Sequence, residues 1–335
     1  MMKALLRVLS LAAAVALTAS VVAAGEVTEL RVAKQYGLGY LQMMLMEDQG
    51  MIEKHAKALG LGDIKVSWST FRSSDVMNDA LLSGNIDFAS VGAPGLAIIW
   101  SRTRGTPQEV KAAFAYNYIL NALNTRDPDI KSLADYTGKH KIAVPAVKAS
   151  NQAIFLQIAA SKLYGMANYG RFDPLTVSMT HPDGMAALLS GAGEIGSHFT
   201  TTPFVQREIE KPGVRRIISA REILGAPNCH NFMVAPTKFY NANPKTYTAF
   251  LQAMQEATDI INKDKRAAVE LYIRVTKDKT SVDDMLKIMN DPGNEYAFDV
   301  TPPGDMITMQ FMHAIGSIKV KPESWSDLLF PKPGK

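Results

Sequence analysis

Cysteine is almost missing from these 335 residues: Cys229 is the single thiol, so no intrachain disulfide can form. Stability must therefore come from a packed core, which a chain of this length can build, most naturally as two domains. An excess of one charge is also missing, with 36 Lys and Arg against 32 Asp and Glu. That near balance excludes a nucleic-acid binder, because no basic surplus remains to neutralise phosphates. Local catalytic signatures are absent as well. There is no HExxH, no paired-cysteine spacing, no Gly-x-Ser-x-Gly elbow, no phosphate loop and no acid pair at local spacing. No metal and no cofactor is therefore expected. A secreted hydrolase assembled from distant residues stays the alternative class.

What is present begins at the amino terminus. Lys3 and Arg7 precede an apolar run from Val8 to Val22, and the stretch closes on Val22-Ala23-Ala24 before Gly25. The run is about 15 residues, short for a bilayer-spanning helix of roughly 20, and small residues at −3 and −1 suit signal peptidase. Residues 1–24 are read as a signal peptide cleaved after Ala24. No cysteine lies there to carry a lipid, and loss of Lys3 and Arg7 leaves 34 basic against 32 acidic residues. The mature chain is expected to be a soluble monomer in the periplasm.

Periodicity then alternates. Leu30–Gln35 reads as a strand, Leu41–Leu59 as one helix, Ile64–Phe71 as a strand, Ser74–Leu82 as a helix stopped by Gly84, and Ile86–Val91 and Val110–Tyr116 as strands. Asn121–Thr125 reads as a connecting segment, after which a second α/β unit starts at Ser132. Asn231–Ala235 is extended and apolar enough for a second crossing strand, ahead of a helical stretch from Pro244 to Ile315. Ala80-Leu81-Leu82-Ser83-Gly84 recurs as Ala187-Leu188-Leu189-Ser190-Gly191, each copy followed by a short strand region and a proline. The expected fold class is α/β with two lobes, each a mainly parallel sheet flanked by helices, joined by two crossing strands. The expected first lobe is discontinuous, 25–120 with 231–335, and the second is 121–230.

The order of several segments carries a family resemblance. Leu30-Arg31-Val32-Ala33 with Gly39-Tyr40, Ala80–Gly84 with Ile86-Asp87 and Gly92, Ser132–Lys139 before Lys141–Pro145, Asn243-Pro244, and His313–Ile318 resemble the periplasmic binding proteins of the nitrate, sulfonate and taurine type, a group that includes thiamine-precursor binders. The resemblance implies a type II-like periplasmic-binding-protein fold. It also implies a small-molecule ligand, and a membrane permease with its ATPase subunit as partners. The chain departs from the family pattern at Leu41-Gln42, at Met51-Ile52 and at Ser197–Thr202, so no relative's ligand carries over. A sensory ligand-binding protein on the same fold is a further alternative.

Ligands of open α/β sheets sit beyond the carboxyl ends of the strands. On that rule the candidate ligand-binding residues are Tyr36, Gly39, Tyr40, Ser73, Gly92, Ala93, Tyr116 and Asn117 in the first lobe. In the second they are Ser150, Asn151, His198, Thr200, Thr201 and Thr202. Tyrosines offer an apolar face with a hydroxyl donor, although each is equally at home in a core. Gly37-Leu38-Gly39 invites a dinucleotide reading, but Gln42 stands at the third fingerprint position, so the glycines serve a tight turn. His198 and His230 lack metal-ligand spacing, and Cys229 beside His230 reads as structural. Thr202 before Pro203 is expected to cap a helix whose free amides hold an anion with Thr200 and Thr201. A sulfonate or carboxylate, with Arg72 or Lys148 supplying charge, is the favoured ligand; a neutral heterocycle is the other class.

Overall fold

A computed structural model describes residues 25–332, so the expected signal peptide lies outside the described residues. The chain opens with β1 (Glu29–Lys34), α1 (Leu41–Gln49), α2 (Met51–Ala58), β2 (Lys65–Thr70), α3 (Ser74–Leu82), β3 (Phe88–Val91), α4 (Ala93–Thr103) and β4 (Val110–Tyr118). The helix expected over 41–59 is two helices. Gly50 adopts a left-handed conformation at φ 57°, its amide turns back to Glu47 and Met46, and the chain restarts at a new angle.

After Ile119 and Leu120 the chain enters the second sheet. There follow β5 (Asn121–Thr125), β6 (Lys141–Val144), α5 (Asn151–Tyr164), β7 (Thr176–Ser178), α6 (His181–Ser190), β8 (Ile195–Thr201), α7 (Phe204–Ile209), β9 (Arg215–Ser219) and α8 (Ala220–Leu224). It returns through β10 (Asn231–Pro236) and continues as α9 (Thr237–Ala242), α10 (Pro244–Lys263), α11 (Lys265–Thr276), α12 (Val282–Met289), β11 (Glu295–Phe298) and α13 (Pro303–Ala314). Asn121–Thr125 is thus a buried strand and not a connector. Its asparagines mask the pattern, because Asn124 meets its partners, Val205 O and Glu208, inside the lobe.

The two sheets follow one plan. The first runs β11-β4-β10-β3-β1-β2 and the second β7-β6-β8-β5-β9. Each contains a parallel block, β2-β1-β3 and β7-β6-β8, and beside it an antiparallel strand, β10 or β5, that arrives from the other sheet. The direction has a simple cause. A chain crossing between lobes enters at the carboxyl edge of the parallel block, as in the pairs Phe232 with Val91 and Asn121 with Thr201, and can only run back down it.

The repeated pentapeptide ends α3 and α6, helices in equivalent places. In each copy the serine hydroxyl donates to the alanine carbonyl three residues earlier (Ser83 to Ala80, 3.1 Å; Ser190 to Ala187, 3.0 Å), and the glycine follows at φ 72° or 71°. The repeat therefore encodes a helix stop.

Two apolar cores hold the molecule. One is built on α1, α2, α10 and β4, where Phe88 and Phe250 stack at 4.3 Å with both rings fully buried. The other extends from α4 and α13 to α5 and α8 of the second sheet. Deleting a buried stacked ring leaves a cavity as well as losing transfer energy. Phe250→Ala is expected to cost ~3–5 kcal/mol in denaturant unfolding, whereas exposed Leu163→Ala is expected to change little.

Candidate functional site

Four helices start at the carboxyl edges of the parallel blocks and point at the space between the sheets. Ser74 opens α3, Gly92 precedes α4, Ser150 caps α5 through the Ala153 amide (3.3 Å), and Thr180 caps α6 through the Asp183 amide (3.2 Å). Between them lies a cavity lined by Gln35, Tyr40, Ser74, Gly92, Pro145, Ser150, Asn151, Gln152, His181, His230 and Asn231. Its solvent-reachable volume is about 20 Å³, room for one or two waters, so the lobes as seen here are nearly shut. A larger hollow of about 560 Å³ beside Arg126, Leu188 and Lys211 sits at the opposite, carboxyl end of α6, away from the strand ends that position ligands.

Not one of the lining side chains carries a fixed charge. Burial pushes the His230 imidazole down to about 4, and holds His181 well below the usual histidine range, with His198 and His230 adding to the effect. Both rings are neutral near pH 7. The network also assigns the His230 tautomer. Asn121 accepts from Gln152 Nε2 at its Oδ1 (2.8 Å) and donates from Nδ2 to Ile119 O (2.9 Å), so Nδ2 faces His230 Nδ1 (3.3 Å) as a donor. Nδ1 must accept, and the ring proton sits on Nε2, which has no partner. Asn231 Nδ2 is likewise unpartnered, its Oδ1 accepting from Tyr40 OH (3.2 Å).

Beside the apolar core that α4 and α13 share with α5 and α8, the contacts at the cleft are polar. Asn151 Nδ2 donates to His230 O at the start of the returning segment (3.2 Å), and Leu38 N donates across the lobes to Thr202 O (3.1 Å). At the outer edge Arg207 pairs with Asp278 (2.8 Å) and Gln206 donates to Asp291 (3.2 Å). Two glycines make room for this fit. A Cβ on Gly92 would stand 2.6 Å from Asn151 Cγ, and one on Gly39 would stand 2.7 Å from His230 Nε2.

Of the residues expected from sequence, Tyr40, Gly92, Ser150 and Asn151 line the cavity. Gly39 lies behind His230, and Ala93 is buried as the first residue of α4. Tyr36 is 37% exposed and outside the lining. Ser73 bonds Asp75, and Tyr116 is a core residue with its hydroxyl on Ser90. Asn117 serves the crossing, donating to Gly39 O (3.0 Å) and accepting from His230 N (2.7 Å). His198 pairs with Glu208 (2.6 Å), both without exposure, and Thr200 meets His181 Nδ1 (2.9 Å). Thr201 is buried with its hydroxyl unpartnered.

The expectation that Thr202 caps a helix is corrected. Pro203 itself occupies the cap position of α7, and the Thr202 hydroxyl donates to Asn294 across the lobes (3.0 Å). Arg72 and Lys148 are exposed and outside the lining.

The lining residues that sequence reasoning left out of its set are Gln35, Ser74, Pro145, Gln152, His181, His230 and Asn231. For His181 a signal existed. Thr180-His181-Pro182-Asp183 is a cap, a proline in the first turn and an acid, which marks a helix start after a strand.

The buried histidines predict acid sensitivity. In the unfolded chain His230 takes a proton near 6.5, in the folded protein only near 4, so stability falls as pH drops through that interval. The full contribution is about 3 kcal/mol. Denaturant melts at pH 7 and pH 4.5 are expected to show His230→Gln losing markedly less stability on acidification than the parent chain.

A model of the NMT1-like family matches residues 23–273. Among solved structures the chain resembles the alkanesulfonate-binding protein SsuA from Xanthomonas axonopodis pv. citri bound to MOPS, at 14% identity and TM-score 0.67, covering 88% of this chain and 96% of that one. It resembles the periplasmic aliphatic sulphonate binding protein SsuA from Escherichia coli at 18% and 0.65, covering 91% and 93%. It resembles the periplasmic nitrate-binding protein NrtA from Synechocystis PCC 6803 at 15% and 0.63, covering 90% and 84%. No curated protein matches in sequence. These likenesses establish the two-lobed periplasmic-binding-protein fold.

Proposed function

The chain belongs to the NMT1-like family, and from that premise we propose that it is the periplasmic solute-binding protein of an ABC importer. Its lobes, 25–120 with 231–335 and 121–230, close on a small organic solute and present it to the permease and its ATPase subunit. The observation that carries this reading is the cavity itself, where neutral hydrogen-bonding groups from both sheets converge at four helix starts. The solved relatives named for sulfonate and nitrate binding support it. Export through a signal peptide cleaved after Ala24 and action as a monomer complete the proposal. The alternatives of a secreted enzyme or a sensory protein predict, respectively, conversion of the ligand and the absence of a cognate permease.

The physics of closure is differential affinity: a ligand shifts the lobes only by binding the closed state better than the open one. A micromolar dissociation constant corresponds to about −8.2 kcal/mol. A few bridging hydrogen bonds with modest apolar burial reach that magnitude. Four helix amino termini favour an anion such as a sulfonate or carboxylate. A neutral heterocycle is the second reading, favoured by the lack of any cationic side chain in the lining.

A thermal-shift screen of sulfonates, carboxylates and pyrimidines tests the ligand class, since ligand at 100 times its dissociation constant adds ~2.7 kcal/mol of stability. Closure is tested at Gly92. A valine there collides with Asn151 only when the lobes are together. Gly92→Val is expected to weaken binding roughly ten- to hundredfold, by the overpacking cost. Small-angle scattering should show a larger radius of gyration that ligand no longer reduces, with the melting temperature of the free protein little changed. Unaltered affinity would place the ligand outside this cleft.

A further inference from the structure

We infer that the cavity captures the anionic group of its ligand together with one proton, which settles on His181, so that affinity is coupled to pH through that residue. The inference deepens the reading above and rests on it.

A cavity without a cationic side chain can balance an incoming anion only with dipoles or by protonating one of its own groups. Its titratable members are Tyr40, His181 and His230. Tyr40 has no cationic form, and burial raises its hydroxyl further from ionisation. His230 is locked by its surroundings. A second ring proton would go onto Nδ1, opposite the Asn121 Nδ2 donor, and Asn121 cannot turn over because Gln152 and Ile119 O hold both its ends. His230 is therefore a fixed Nε2–H donor.

His181 has no such lock. Its Nδ1 faces the Thr200 hydroxyl at 2.9 Å, and a hydroxyl donates to a neutral ring or accepts from a protonated one by rotating its hydrogen. Nδ1 being engaged, Nε2 is the nitrogen left for the cavity that His181 lines. The position is apt. His181 opens α6 as Ser74 opens α3, so the two line the cavity from equivalent places in the two lobes.

The charged and titratable groups around His181 leave it as the free one. From β8 comes His198, its ring 5.7 Å away and paired to Glu208. From α7 come Phe204, stacked on His181 at 5.6 Å, then Glu208, which is turned onto His198 and Asn124, and Arg207, which is paired to Asp278. From β6, Lys141 reaches outward to Pro174 O. On its own helix Asp183 is exposed and bonded to Thr180. Across the cavity stand Tyr40 and His230, and behind His230 the buried carboxyl of Asp305 holds the Cys229 amide (2.8 Å). In the free protein burial keeps His181 unprotonated. An anion beside Nε2 reverses that preference, and the proton is drawn from solvent as the ligand enters.

The experiment measures affinity by thermal shift and calorimetry at pH 5.5 and pH 7.5 for three probes: 1-propanesulfonate, benzoate and the uncharged pyrimidine cytosine. A sulfonate stays ionised at both pH values, so any slope belongs to the protein. The expected result is anion affinity at least tenfold higher at pH 5.5, approaching tenfold per pH unit where one proton is taken up. His181→Gln is expected to flatten the slope. Thr200→Val, which keeps the imidazole but removes its Nδ1 acceptor, should do the same if the first variant folds poorly. His230→Gln should lower affinity at both pH values and leave the slope. Anion binding of equal strength at both pH values, or a slope that survives both variants, overturns the coupling and leaves the binding-protein reading standing. Binding of cytosine alone overturns the coupling and the anion class together. No stabilisation by any probe at either pH overturns both this inference and the ligand classes it rests on.

Discussion

Asn117 is the point on which both the crossing between the sheets and the cleft depend. It is the penultimate residue of β4, at φ 61° and fully buried, and all of its polar atoms toward the crossing are used. Its Nδ2 donates to Gly39 O, its Oδ1 accepts from Ala297 N (3.2 Å), and its carbonyl accepts from His230 N. One residue thereby fixes the first turn of the molecule, the edge strand β11 and the returning crossing relative to one another. Each bond is worth only about 1 kcal/mol net, but an unmade one at a buried site costs more. The two crossing segments lie side by side, joined by the bond from His230 N to the Asn117 carbonyl.

From that constraint the cavity follows. A returning chain pinned at His230 must begin β10 at the carboxyl edge of β3, which puts His230 and Asn231 beside Gly92 and Tyr40. The second lobe, built on the same plan, brings its own helix starts to the opposite wall. Equivalent positions carry different chemistry: Ser74 in one lobe, His181 in the other. The cleft is symmetric in construction and asymmetric in the groups it presents.

The lobes meet through hydrogen bonds and one partly exposed ion pair, with few apolar contacts at the cavity itself. Partly exposed pairs contribute little after screening. The apolar cluster reaching from α13 to α5 and α8, with Tyr169 and Phe311 rings 6.3 Å apart, joins the lobes elsewhere.

How far the sequence alone reached has a physical pattern. The parallel strands β1, β2 and β3, the helix over Ser74–Leu82 and the glycine stops are local matters of period, propensity and positive φ, and they were legible. So was the rule placing ligands at strand carboxyl ends, which brought Tyr40, Gly92, Ser150 and Asn151 into consideration. The strand nature of Asn121–Thr125 was not legible, because its asparagines find their partners only across strands and helices far along the chain. Tyr116 and His198 sit directly after or within strands as a ligand residue would. Only packing decided that the first belongs to the core and the second to Glu208. The sequence by itself determined the α/β plan and which loops could form a cleft. Tertiary structure decided which side chains face it and that they are neutral there, because burial and long-range hydrogen bonds, which set both, do not exist until the lobes are folded and facing one another.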